Sequence, residues 1–208
     1  MLGWADVWKI LLGFVFSVIL IWLKELVVHH LQVTGLRKSL WSMMEFESDL
    51  EDFMGALERM KVSILQGNMR LVAFDIPKGI TSAAEELAHL EPKNAYVYND
   101  LHSSAEIVKN GLSFLRDLIK SLATMKPDPD DEARLRKVIV GQISILKGDR
   151  LNLGRAELRV MRYIKLHQAK SNQATIDRMD AALGKFQKDD YDHLFPEQGS
   201  PREEVSKG

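Results

Sequence analysis

Residues 10 to 23 read Ile10-Leu11-Leu12-Gly13-Phe14-Val15-Phe16-Ser17-Val18-Ile19-Leu20-Ile21-Trp22-Leu23, fourteen positions without a charge between Lys9 and Lys24. A bilayer core needs roughly 20 apolar residues of helix, and this run at about 1.5 Å per residue spans only about 21 Å. The flanks make up the difference. Lys9 and Lys24 can lay their stems along hydrocarbon and put their ammoniums among headgroups. Trp8 and Trp22 sit near the ends, where indoles prefer the interface, and Val7 and Leu26 to Val28 extend the apolar length. The run is apolar all round, unlike an interfacial helix, which needs a charged face. A signal peptide would be followed by a small-x-small cleavage site, but Trp22-Leu23-Lys24-Glu25-Leu26 follows here. A single transmembrane anchor engaging the bilayer through residues 7–28 is the expectation.

Basic residues near the ends set orientation. Lys9 stands in front beside Asp6; Lys24, Arg37 and Lys38 follow behind, with His29 and His30 able to add charge. The residues after the anchor are expected in the cytoplasm. Nothing ionisable lies inside the span, as a transporter or proton relay would require. Gly13 and Ser17, four apart, form a small-xxx-small pair that would let two copies approach closely.

The 208 residues carry 28 Lys and Arg against 29 Asp and Glu, for a formal charge of -1. The chain as a whole is no polycation. It has no Cys, which removes disulfides, thiolate metal sites and thiol nucleophiles. The 6 Pro residues punctuate rather than interrupt apolar patterns. No segment alternates convincingly as a strand; Asn94 to Tyr98 is the best short candidate. The chain therefore reads all-α, with an anchor at 1–30, a helical bundle at 31–187 and a disordered tail at 188–208.

Within the bundle region, Leu36, Leu40, Met43, Phe46, Leu50, Phe53, Leu57, Met60 and Ile64 recur at the near-3.5 spacing of a coiled-coil seam. Thr34-Gly35 offers a cap or bend before it, and Gln66-Gly67-Asn68 a stop after it. Pro77-Lys78-Gly79 reads as a turn, and Ser82 with Glu85 three residues on reads as a capping box. A long helix should run from 94 to 125 on Val97, Leu101, Ala105, Val108, Leu112, Leu115, Ile119 and Leu122, stopped by Lys126-Pro127. Asp128 then caps a helix starting at Pro129, with Asp130, Asp131 and Glu132 on its positive dipole end, and running to about 170. A shorter piece on Ile176, Met179, Leu183 and Phe186 follows.

Charge is unevenly placed. Residues 45 to 58 carry six acids and no base, whereas 134 to 170 carry ten bases against Asp149 and Glu157. At 100° per residue, Arg134, Lys137, Arg155, Arg159, Arg162 and Lys170 share about a third of the helix circumference. Leu135, Ile139, Leu146, Leu153, Val160 and Ile164 lie opposite, as a core stripe. The basic face can be a solvated surface that pairs with the acidic helix. Alternatively it meets a protein partner around Arg155, Leu158, Arg159 and Arg162, because Leu151, Leu158 and Leu166 interrupt it and would be stranded in water. Nucleic acid is disfavoured, since Tyr163 is the only aromatic there for base stacking. Anionic lipid fits if the helix lies near the inner leaflet.

Chemistry-bearing patterns are sparse. Glu86-x-x-His89 is half of a di-iron bundle motif, and no second copy occurs. His102 and Glu106 share a face without a visible third ligand. Adjacent His29 and His30 point about 100° apart on a helix and cannot grip one ion. There is no nucleophile elbow, phosphate loop or His-Glu-x-x-His. The sequence thus supports a membrane-anchored interaction or scaffold protein, with no catalytic residue, cofactor or metal assigned, and a protein partner or second copy expected.

Overall fold

A computed structural model of the chain describes residues 4–47, 50–67, 76–124, 128–167 and 173–194. They form α1 (Trp4–Glu47), α2 (Leu50–Leu65), α3 (Lys78–Leu90), a 3-10 turn (Pro92–Asn94), α4 (Ala95–Thr124), α5 (Pro129–His167) and α6 (Gln173–Leu194). The described residues contain no strand, and Asn94 to Tyr98 passes from the 3-10 turn into α4.

The start signals explain the best-defined boundary. Asp128 Oδ1 accepts the backbone N–H of Asp130 at 3.0 Å and of Asp131 at 2.9 Å, satisfying two amides that the first turn of α5 leaves open. Ser82 does not play that role for α3. That helix starts at Lys78 after Pro77, with no side-chain cap, and Ser82 lies inside it. Residues 68–75, where the loop before the Pro77 turn falls, lie outside the described residues, as does the expected stop at Lys126-Pro127. Gly67 closes α2 with φ 84, a left-handed conformation that favours glycine at a helix end.

Antiparallel pairing follows from the cross-helix contacts. Asp100 on α4 meets Arg159 on α5, and Leu146 lies 3.0 Å from where a Gly111 Cβ would stand. Glu58 on α2 pairs with Lys147, and the Ile64 carbonyl accepts from Arg136. Asp180 on α6 pairs with Arg162. Helix α5 is therefore the hub: α4, α2, α6 and the end of α1 all pack on it, and α3 lies between α1 and α4. The core positions expected on α2, α4 and α6 are buried, apart from Phe186, which is partly buried.

The 36–64 seam is divided between two helices, with α1 ending at Glu47 and α2 beginning at Leu50. The α2 part packs on α5, with Ile64 near Arg136, whereas α1 packs chiefly on α3 and meets α5 where Arg37 lies near Tyr163, so the apolar spacing serves two antiparallel partners. Helix α1 continues through Thr34 and Gly35 without interruption. Its buried side in the bundle is Val33, Arg37, Leu40, Trp41 and Met44, with Leu36 and Met43 only partly covered. Helix α6 reaches Leu194, past the expected tail boundary at 188; residues 195–208 lie outside the described residues.

Among the described residues, one helix is long and apolar enough to cross a membrane, and the apolar stretch is the front of α1. Its apolar window is 0% buried, so no other described part of the chain covers it. Ser17 Oγ donates to the Gly13 carbonyl at 2.9 Å, which satisfies the hydroxyl within the helix.

Candidate functional site

Polar chemistry gathers at the foot of α1 and along the edge of α5. At the foot, Glu91 follows the last turn of α3, and its backbone N–H still bonds Leu87 O at 2.9 Å. Pro92 cannot continue the helix, so the Glu91 side chain is left at the junction of four helices. Its carboxylate accepts Arg37 Nε at 3.1 Å and Arg37 Nη2, and the Tyr98 hydroxyl at 2.6 Å. The Tyr163 hydroxyl donates to it at 3.3 Å and accepts from Asn94 Nδ2 at 2.7 Å. The Tyr98 and Tyr163 rings meet edge to face at 5.8 Å, and the Arg37 guanidinium lies 5.3 Å from the Tyr163 centroid.

Burial first, and then the hydrogen bond to Glu91, holds the Tyr98 phenol well above its usual range; burial and the Glu91 charge push Tyr163 upward as well. Both phenols stay protonated and donate. The cluster is a clamp of charge-assisted hydrogen bonds, each worth about 1.5–3 kcal/mol. Through these bonds it holds α1 to α3, α4 and α5. Arg37, counted as a juxtamembrane charge in the sequence, is buried here and paired in the folded chain.

The second place is the basic sector of α5. The core stripe Ile139, Leu146, Leu153, Val160 and Ile164 is fully covered, and Leu135 is partly so. Leu151 and Leu158 are not stranded: Leu158 is only 5% exposed. Four helices pack around the middle of α5, so its buried arc is wider than one stripe. Leu166, at the end of α5, is exposed as expected. The arginines also have intrachain contacts. Arg155 Nη1 donates to Asn152 Oδ1 at 2.7 Å, Arg159 pairs with Asp100 at 2.6 Å, and Arg162 pairs with Asp180 at 2.8 Å. The structure thus places Arg155, Arg159 and Arg162 on one edge and moves Leu158 into the core. Pairing with the acidic segment is carried by Lys147 with Glu58, and by Lys185 of α6 with Glu51. The bond from Lys147 holds the Glu58 carboxyl below its usual range.

Sequence reading missed the buried pair at the heart of α5. Arg150 Nη1 donates to Glu157 Oε2 at 3.0 Å, with side chains 4% and 0% exposed. Arg150 also sits 5.7 Å from the Phe53 ring centroid. Burial pushes the Glu157 carboxyl upward against the opposing pull of Arg150. Its Oε1 meets no hydrogen-bond donor among the described residues. The signal was present in the helical angle, since both residues fall on the apolar side of the α5 wheel. Arg37 gives the same signal, standing four after Val33 and three before Leu40.

The histidines divide into separate settings. Thr81 O lies 3.2 Å from His102 Nδ1, and a carbonyl only accepts, so Nδ1 carries the proton. Glu106 is held by Lys109 at 2.8 Å rather than by His102. Glu86 accepts from Gln32 at 3.0 Å, and His89 is exposed. Among the described residues, no group of three or more His, Asp or Glu could hold a metal ion. The chain matches no protein-family model, no curated protein and no solved structure.

Proposed function

We propose that this chain is a single-pass membrane protein whose helical domain faces the cytoplasm and serves as an interaction module, without a reaction of its own. The observation that carries this reading is α1, whose apolar window no other described residue covers and which continues unbroken into the core of a bundle. Water would penalise such a surface heavily, at roughly 25 cal/mol per Å²; a bilayer removes the penalty. Lys24 and Lys38, with Arg37 counted at insertion before it folds into its pair, favour a cytoplasmic domain. The buried ionisable groups are engaged in pairs, as structural groups are.

The partner surface is best supported on the α4–α5 hairpin. The exposed Asp100–Arg159 pair marks a side shared by both helices. Heptad steps from it drift by only about 20° each. They lead along α4 to Ile107 and Phe114, and along α5 to Asn152, Ile145 and Val138, all exposed. Between Val138 and Asn152 the outer positions Gly141, Ser144 and Gly148 carry no charge and little bulk. An amphipathic helix of a partner fits such a strip. Arg155 and Arg159 at its membrane-proximal end favour acidic residues at that end of the partner. A photo-crosslinking residue at 114 or 145 should trap the same protein in native membranes, and one at 185 on α6 should not. Absence of a specific adduct from both sites refutes the surface.

A further inference from the structure

We propose that the membrane-proximal end of the bundle rests in the headgroup layer of the bilayer that α1 crosses, with Lys93 and Lys165 contacting anionic phospholipid phosphates and Tyr96 and Leu166 entering the interface. This rests on the reading of α1 as a membrane span.

The helix directions place that end. Helix α1 leaves the membrane, and α3 runs back along it, with Gly79 beside Met43 and Glu86 bonded to Gln32. Helix α4 is antiparallel to α3, with His102 against Thr81, and α5 is antiparallel to α4. The end of α3, the start of α4, the end of α5 and the start of α6 therefore gather at the level of Gln32 and Arg37 on α1. Val28 ends the apolar length, and Gln32 stands about 6 Å and Arg37 about 14 Å further along the helix axis. From the clamp of Arg37 with Tyr163, the last turn of α5 returns toward the membrane by about 6 Å, to about 8 Å from the level of Val28. The headgroup region is about 5–8 Å thick on each side of the hydrocarbon. These helix ends lie at its edge.

The side chains there suit that layer. Leu166 is 82% exposed and Tyr96 73%, the two most exposed large apolar side chains among the described residues. Both sit at this end and not elsewhere on the bundle. Tyrosine prefers the membrane interface, with its ring toward hydrocarbon and its hydroxyl wet. Of the carboxylates at this end, Glu91 is paired with Arg37, while Glu86 and Asp177 accept from the neutral amides of Gln32 and Gln173, at 3.0 and 2.6 Å. No described carboxylate pairs with Lys93 or Lys165. Between α5 and α6 lies an open notch of about 370 Å³ lined by Arg162, Lys165, Leu166, Gln173, Ile176 and Asp177. It has room for a phosphate beside Lys165, with Arg162 held by Asp180, and for acyl-proximal carbons against Leu166 and Ile176. A basic surface near an anionic leaflet is attracted within a Debye length.

The absence of Cys allows a clean test on the full chain. Single nitroxide labels are placed through Leu166→Cys, Tyr96→Cys, Arg134→Cys at the far end of the bundle, and Phe16→Cys in the span. Each protein is reconstituted into vesicles of phosphatidylcholine alone or mixed with phosphatidylserine. Collision with a water-soluble nickel chelate and with oxygen is then read by electron paramagnetic resonance. Labels 96 and 166 should be severalfold less accessible to nickel than label 134, and more so with phosphatidylserine. Lys93→Glu with Lys165→Glu should abolish the phosphatidylserine effect. Label 16 must report hydrocarbon; if it reports water, the spanning helix itself is wrong. If label 16 reports hydrocarbon while 96 and 166 match 134, the anchor stands and the headgroup contact is overturned. Shielding that ignores both phosphatidylserine and the lysine changes overturns the assignment to anionic lipid.

Discussion

Replacing Glu157 with Leu tests the energetic reading of α5 most sharply. The substitution keeps most of the volume, so the main loss is the carboxylate that faces Arg150 at 3.0 Å. Arg150 is 4% exposed and would keep its charge after losing the carboxylate that it bonds. Removing one partner of a buried pair costs about 3–5 kcal/mol, and at this chain length that is about 6–20 °C in Tm. Glu157→Leu combined with Arg150→Met removes both charges. It should lie within about 2 kcal/mol of the parent, because desolvation of two ions is relieved while one cation–π contact is lost. The pH dependence has a definite sign. Burial raises the folded carboxyl above its unfolded value of about 4.3. The group therefore contributes stability below that unfolded value and loses it as pH rises through the folded one. Parent and Glu157→Gln should differ most in the parent's favour at acid pH, with the difference shrinking upward. Thermal circular dichroism of the full chain in detergent micelles reads all of this. A single variant as stable as the parent, or a double variant as unstable as the single, refutes the reasoning.

Leu158→Ala should cost about 2–5 kcal/mol in the same thermal assay, as a core truncation does, whereas Arg159→Glu beside Asp100 should cost less than about 1 kcal/mol. Gly154→Val should loosen α6, because the Leu183 Cδ2 atom lies 3.1 Å from the added Cβ position; faster amide exchange over residues 173–194 would show it. Asp128→Ala removes two capping bonds and should cost about 1 kcal/mol, with exchange protection lost first in the opening turn of α5.

The apolar periodicities on α4 and α5 were legible because each helix presents a stripe of like residues to one core. Asp128-Pro129 was legible because cap, Pro and acids agree on one boundary. The division of the 36–64 seam at Glu47 left no Pro or Gly to read, and spacing alone continues across it. Leu151 and Leu158 were misplaced for a different reason: a single-helix wheel assumes one covered face, and the hub of a bundle is covered on several. Charged residues at apolar angles were the overlooked signal. Arg37, Arg150 and Glu157 each occupy a core position, and each is retained by a partner seven residues or more away. A pair such as Arg37 with Glu91 cannot be matched from sequence until the fold brings α1 and α3 together.

Helix α1 joins the span to the bundle without a break, and this makes the distance between them a testable part of the design. A flexible linker would let the domain wander over several nanometres, and an added heptad would change little. A continuous helix converts the same insertion into a fixed displacement. Seven helix-forming residues placed after Val28, before the first buried position at Val33, would move the bundle about 10 Å from the membrane. They would rotate it by only about 20°. Neither the clamp at Arg37 nor the α4–α5 strip contains an inserted residue, so helicity and Tm should hold. The label at 166 should then become as accessible to nickel as the label at 134, because the displacement exceeds the thickness of the headgroup layer. The crosslink from 114 should be lost if the partner is itself held at a fixed height in the same membrane, and retained if the partner is soluble. If label 166 stays shielded after the insertion while the fold is intact, the bundle is not carried rigidly on α1.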